Sequence, residues 1–278
     1  MIVLANSTLT VQGTKLARNK VRKGAVYGMW SSRLLVQQAT FVGNTGEGEG
    51  GGMYLVGSNC TLRNSTFDSN VAANAGGAIY VKFSSLDVGS TKFLDNKAPI
   101  GGAVTVYDGS LFGKRATVVN SSFTNNVAET GGGAIYVTTS GLSVDSTEFL
   151  NNTAPVGGAV AVYPNSKVTF TNSSLRSNTA RPVKAEALQD QLSKGSYYML
   201  GVGGALYVEQ SSVSITRSKV LGNRAVMDGG EYGNARGYNM GQQQQQHPPE
   251  VHSVVGSLLC FVVQSYLVLQ IWPAGRLI

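Results

Sequence analysis

The side chains best able to do chemistry in this chain are its carboxylates, among them Asp68, Asp87, Asp95, Asp108, Asp145 and Asp190. Glycosidic bond cleavage needs neighbouring carboxylates, or a carboxylate-bound calcium beside an Arg or Lys base, on one face. No strand-like stretch here carries a close acidic pair. Asp68 and Asp95 approach that condition at one turn, but they hold different places in FDSN and FLDN. Glu47 and Glu49 in GEGEGGG lack the regular Asp spacing of calcium loops, so that stretch reads as a solvated turn. His247 and His252 fall in a low-complexity tract, and the glycine pairs follow turn grammar rather than a phosphate loop. The expectation is therefore no catalytic residue, no cofactor and no metal. Cys60 and Cys260 are too far apart in sequence to specify a disulfide framework, and Cys60 stands where Leu, Val or Ala stands elsewhere, as a small buried hydrophobe. Sequons occur at Asn6, Asn59, Asn64, Asn120, Asn151 and Asn172, which are glycosylation sites if the protein is secreted by a eukaryote.

The elements that position these residues are repeats. The stretch Ser65 to Val81 is written again and again, and lining up its FxxN asparagines gives Asn19, Asn44, Asn70, Asn96, Asn126, Asn152, Asn178 and Asn223, in steps of 25, 26, 26, 30, 26, 26 and 45 residues. Three residues before each stands Leu16, Phe41, Phe67, Phe93, Phe123, Phe149, Leu175 or Val220. Further apolar columns stand eight and ten residues before it, for example Val88 and Leu86. Fixed spacings over eight copies define a repeat architecture. Apolar residues two apart, such as Ile79/Val81 and Leu86/Val88, give the strand period. We therefore expect an all-β fold: a single-stranded, right-handed parallel β-helix of about eight coils, three short strands per coil, roughly 40 Å long. Phenylalanines should form an interior column, and each FxxN asparagine suits a left-handed turn with its amide bonded to the next. The glycine pair supplies positive φ or a close backbone approach, and Tyr80, Thr105, Tyr136, Ala161 and Tyr207 should form an outer column.

GGAI at Gly76 and Gly132, GGAV at Gly101 and Gly157, and GGAL at Gly203, each paired with an FxxN-type step, resemble the twin-tetrapeptide repeats of the chlamydial polymorphic outer membrane proteins. The resemblance covers Leu9 to Asn223. It implies a pectin-lyase-like right-handed β-helix exposed at a cell surface, with adhesion as the commonest role. The sequence departs from that pattern in having no carboxy-terminal β-barrel translocator and no preceding secretion signal. Since it begins inside a repeat, either residues before Met1 belong to the whole protein or the protein stays inside the cell, and we expect the first.

Residues 1–225 read as the solenoid, with a short insertion within Asp108 to Arg115 and a longer one at 181–202. The latter contains a helical stretch, Val183 to Lys194, and the pair Tyr197-Tyr198. Residues 226–253 are a Gly/Gln/Pro-rich linker. The apolar segment 254–272 is long enough to span a bilayer and has three readings: a membrane anchor, an attachment signal for a lipid anchor after a small residue near Gly241, or sequence unrelated to the fold. Charged residues make up only 13% of the chain. The cluster Lys15, Arg18, Lys20, Arg22 and Lys23 lacks aromatic interleaving, so it reads as a solvated terminal coil rather than a nucleic-acid site. The functional expectation is a noncatalytic extracellular or cell-surface protein, membrane-anchored through 254–272, that binds a protein or glycan. The alternatives are a fragment of a polysaccharide-active enzyme and a structural wall spacer.

Overall fold

The computed structural model describes residues 2–108, 113, 115–181, 202–225, 259–260 and 266–270. One coil shows the plan: strands Ile79–Lys82, Ser85–Gly89, Lys92–Leu94 and Lys97–Ile100 follow one another around the rod. Each pairs in parallel with its equivalent in the next coil, as in Ile79 with Val104, Leu86 with Ala116, Phe93 with Phe123 and Lys97 with Val127. The chain is thus a parallel β-solenoid with four sheets, called here first to fourth in chain order around the coil. The third and fourth contain eight strands each. The first and second gain a ninth where the backbone of Leu259–Cys260 and Tyr266–Gln270 pairs with Leu206–Tyr207 and Ser212–Thr216.

The inward columns hold the rod together by burying apolar surface. Phe41, Phe67, Phe93, Phe123 and Phe149 are fully buried, their rings stacked at 4.4, 5.3, 4.5 and 4.9 Å between centroids. Phe170, from the second sheet, meets Phe149 edge-on at 6.0 Å. Cys60 is buried in the column occupied by Leu34 and Leu86.

Four sequence expectations are corrected. First, each coil has four strands rather than three. The extra one follows the asparagine, as in Val71–Ala72, and turns Ala72, Ala98, Ala128, Ala154 and Ala180 inward. Two residues give no alternation to read, and alanine is a weak strand former. This wall is crowded: a Cβ on Gly77 would lie 2.2 Å from the Gly102 carbonyl oxygen and 2.6 Å from that of Lys97. Second, the left-handed residue is the one before each asparagine, such as Ser69, Asp95 or Asn125, with φ between 51° and 56°. The asparagine itself points into the rod, where it replaces backbone partners lost at the corner. Third, the outer column of the first sheet is largely covered. Thr105 and Ala161 are buried, as are Tyr54 and Tyr207, because neighbouring tyrosines lie against one another, for example Tyr54 with Tyr80 at 5.2 Å. Fourth, GEGEGGG is a clamped corner: the N–H groups of Glu47, Gly48 and Gly50 donate to the carbonyls of Val21, Arg22 and Ala75 in adjacent coils. Glu49 pairs with Lys23 at 3.4 Å.

The asparagines form an uninterrupted ladder from Asn19 to Asn223, buried from Asn44 onward. Asn96 is typical: its backbone N–H and its Nδ2 both donate to Asn126 Oδ1 at 3.0 Å, and its Nδ2 also donates to the Phe67 carbonyl at 3.0 Å. The ladder crosses both insertions, joining Asn96 to Asn126 and, at 2.9 Å, Asn178 to Asn223. Both excursions therefore leave and re-enter at corners. The expected helix Val183 to Lys194, the pair Tyr197-Tyr198, the linker 226–253 and most of the apolar segment 254–272 lie outside the described residues. Among the described residues no helix is long and apolar enough to cross a membrane.

Candidate binding groove

Outward positions of the third sheet and its preceding corner form a depression on the rod. Strand register places Lys92, Ser122, Glu148, Ser174 and Lys219 in one outward file. Beside them the corner presents Ser90, Asn120, Ser146, Asn172 and Arg217, all with φ near 50°, so that their side chains swing outward. Both files line a groove of about 880 Å³ that spans five coils, with Arg176 and Leu221 at its far end.

The floor is held by a second ladder. Thr91, Ser121, Thr147 and Ser173 sit between the two files, and each hydroxyl donates to the carbonyl two residues before it, at 2.8 to 3.0 Å. Each hydroxyl also accepts the backbone N–H of the preceding coil, as when Thr91 N–H donates to Ser121 Oγ at 3.1 Å. These short hydroxyl turns fix the corner and leave the neighbouring side chains free to face solvent. Sequence reasoning missed this ladder, although a Ser or Thr stands five residues before the FxxN asparagine in coil after coil, which was the available signal.

The groove is polar and carries an excess of positive charge. Lys92, Arg176, Arg217 and Lys219 are its cations, and Glu148, which pairs with the Arg176 guanidinium, is its acid. Asn172 Nδ2 donates to Asp145 Oδ1 at 2.9 Å. The Ser174 hydroxyl is buried in the wall without a hydrogen-bond partner.

All six sequon asparagines are exposed. Asn64, Asn120 and Asn172 share the corner file, and the last two line the groove. Asn6 and Asn151 pivot other corners, and Asn59 opens a second-sheet strand.

Asp68 is level with Leu94, whereas Asp95 pivots the adjacent corner. Asp87 accepts from the Arg63 guanidinium and, at 2.9 Å, from the Thr117 hydroxyl, which together hold its carboxyl below the usual range against the opposing effect of burial. Asp108 faces Lys82 at 3.8 Å. Asp190, His247 and His252 lie outside the described residues, among which no three His, Cys, Asp or Glu side chains are grouped as metal ligands. Burial pushes the Cys60 thiol up to about 12. In the basic cluster Lys15, Arg18, Lys20 and Arg22 are exposed, while Lys23 donates to the Tyr54 hydroxyl at 3.2 Å.

Stacked parallel coils with in-register ladders and a groove along one face define a β-solenoid with an outward-facing site. Residues 1–154 match the family described as right handed beta helix region, and the chain belongs to that family. Membership points to a surface or polysaccharide-related β-helix protein. No curated protein and no solved structure matches the chain.

Proposed function

We propose that the protein is a noncatalytic extracellular or cell-surface solenoid that holds an extended partner, a glycan or a protein segment, along the third-sheet groove, as an adhesin does. The groove itself carries this reading: it is lined by hydroxyls in four successive coils, by the Asn120 and Asn172 amides, and by four cations against one acid. A repeating polar file suits a repeating polymer, and the charge excess favours an acidic one. The likeness of the GGA and FxxN steps to the chlamydial surface repeats supports a surface role, and the segment 254–272 would supply the membrane attachment.

The test is a glycan array and a polysaccharide-cleavage assay on the full chain. Expected are retention of acidic polysaccharides, weakening as salt screens the groove, loss of binding in Arg176→Ala and Lys219→Ala, and no shortening of the polymer. Polymer cleavage would replace this reading with the enzyme reading, and binding untouched by either groove substitution would remove the site.

A further inference from the structure

The outward file of the third sheet does not stop at the groove. Register carries it from Lys92 through Thr66 and Thr40 to Lys15, three coils beyond the groove's near end. In the other direction it runs through Ser122, Glu148 and Ser174 to Lys219. One straight file therefore carries a lysine in the first, fourth and eighth strands of the sheet. Seven steps of about 4.8 Å put roughly 34 Å between Lys15 and Lys219. All three lysines are exposed, and none has a carboxylate partner among the described residues. The residues between them are low: Thr40, Thr66, Ser122 and Ser174 are half-buried, and the one acid, Glu148, is held by Arg176. Beyond the groove the corner alongside presents Gly13, Gln38 and Asn64, exposed and uncharged. Asp68 and Asp95 stand at the other edge of the sheet.

We infer that this file is one continuous binding track for a long, linear polyanionic glycan, carboxylated or sulfated, and that Lys15 holds it outside the groove. The inference rests on the groove reading and adds to it a site and a length requirement. The three lysines stand at unequal intervals, three coils and then four. A partner with a few charges in fixed places would have to match that one pattern, whereas a polymer charged along its whole length brings an anion near each ammonium in any register. The hydroxyls and amides between them meet sugar hydroxyls as donors and acceptors. None of the residues on the track is aromatic, so nucleic-acid bases would find nothing to stack on. Each exposed ion pair is weak by itself. Binding is therefore set by how many lysines one chain reaches at once, because the first contact raises the effective concentration of the polymer at the others.

The test measures retention of tetramers and dodecamers of oligogalacturonate and of a sulfated galactan by the full-length protein at low salt, the two series telling a carboxylate ligand from a sulfate one. At least one dodecamer should bind roughly tenfold or more tightly than its tetramer. Lys15→Gln should weaken that dodecamer roughly threefold and leave the tetramer, which fits within the groove, unchanged. Lys219→Gln should weaken both. Arg33→Gln removes an exposed cation of the neighbouring coil on the second sheet and should change neither. The inference is overturned, with the groove left standing, if Lys219→Gln weakens binding but tetramer and dodecamer bind alike, if Lys15→Gln binds the dodecamer as the parent does, or if Arg33→Gln weakens it as much as Lys15→Gln. It is overturned also if neither dodecamer is retained or if single-stranded DNA of equal length is preferred to both. Retention that Lys219→Gln leaves unchanged removes the groove reading and the track with it.

Discussion

Replacing Asn126 by alanine tests the interior ladder most directly, because an exposed asparagine immediately precedes it in the chain. Asn126 is fully buried. Its Oδ1 accepts from the backbone N–H and the Nδ2 of Asn96, each at 3.0 Å. Its Nδ2 donates to the Phe93 carbonyl and to Asn152 Oδ1, also at 3.0 Å. Truncation leaves the Asn96 N–H without its acceptor, whereas Asn96 Nδ2 keeps the Phe67 carbonyl and Asn152 Oδ1 keeps the Asn126 N–H. One orphaned buried donor at about 1–3 kcal/mol, plus the three other lost bonds at about 1 kcal/mol each, gives a loss of about 4–6 kcal/mol. Asn125→Ala changes only a solvent-facing corner with φ of 56° and should cost about 1 kcal/mol. Urea unfolding followed by far-ultraviolet circular dichroism supplies the comparison, and amide exchange at Asn96 localises it. Asn126→Asp adds a pH signature. A buried carboxylate facing the Phe93 carbonyl and Asn152 Oδ1 must protonate to donate, so its folded pKa lies above the ordinary value of about 3.9. Stability that depends on the protonated form is then present below pH 4 and lost as pH rises through the raised pKa. Equal costs for Asn125→Ala and Asn126→Ala, or an unchanged Asn96 exchange rate, would refute the ladder.

Other outcomes follow from the same geometry. Phe93→Ala, between rings at 5.3 and 4.5 Å, should cost about 3–5 kcal/mol in the same unfolding assay. Gly102→Ala should prevent folding or shift the urea midpoint further than any surface change, since its Cβ would meet the Gly133 carbonyl oxygen at 2.1 Å, while Gly13→Ala, with open space around it, should cost about 1 kcal/mol. The Cys60 thiol, raised to about 12 by burial, should resist iodoacetamide until the protein unfolds. Its contribution to stability is complete below the unfolded thiol value of about 8.5 and declines as pH rises toward 12, a slope that Cys60→Ala should lack. Arg63→Ala should remove the larger part of the depression of the Asp87 pKa, leaving the share that the Thr117 hydroxyl supplies. Stability lost as pH falls below about 4 then shrinks, by under about 1 kcal/mol because the pair is partly exposed, and acid titration checks it.

Much of this architecture was legible in the residues because stacking makes like side chains neighbours. Phe41 to Phe149, Leu62 over Val88 and the shared asparagine column could be read from spacing alone, since one register repeats in every coil. What escaped was whatever a corner does with its polar atoms. Asparagine has both a tolerance for left-handed backbone and an amide able to bridge coils. The sequence analysis assigned it both; the amide bridge is there as expected, and the turn belongs instead to Ser69 or Asp95. The alanine strand was invisible for want of a period. The groove escaped because its shape comes from corner side chains of five coils brought together, and Asn120 and Asn172 read only as sequons until register placed them on its rim.

The continuity of the asparagine ladder across two unequal excursions has a consequence for how such a molecule can change over generations. Each rung presents to the next the same donors and acceptors that it received, so gaining or losing a whole unit leaves every surviving junction chemically equivalent. Reach can therefore lengthen or shorten by duplication while the interior stays unaltered, and new loops can be tried at the bends without disturbing the spine.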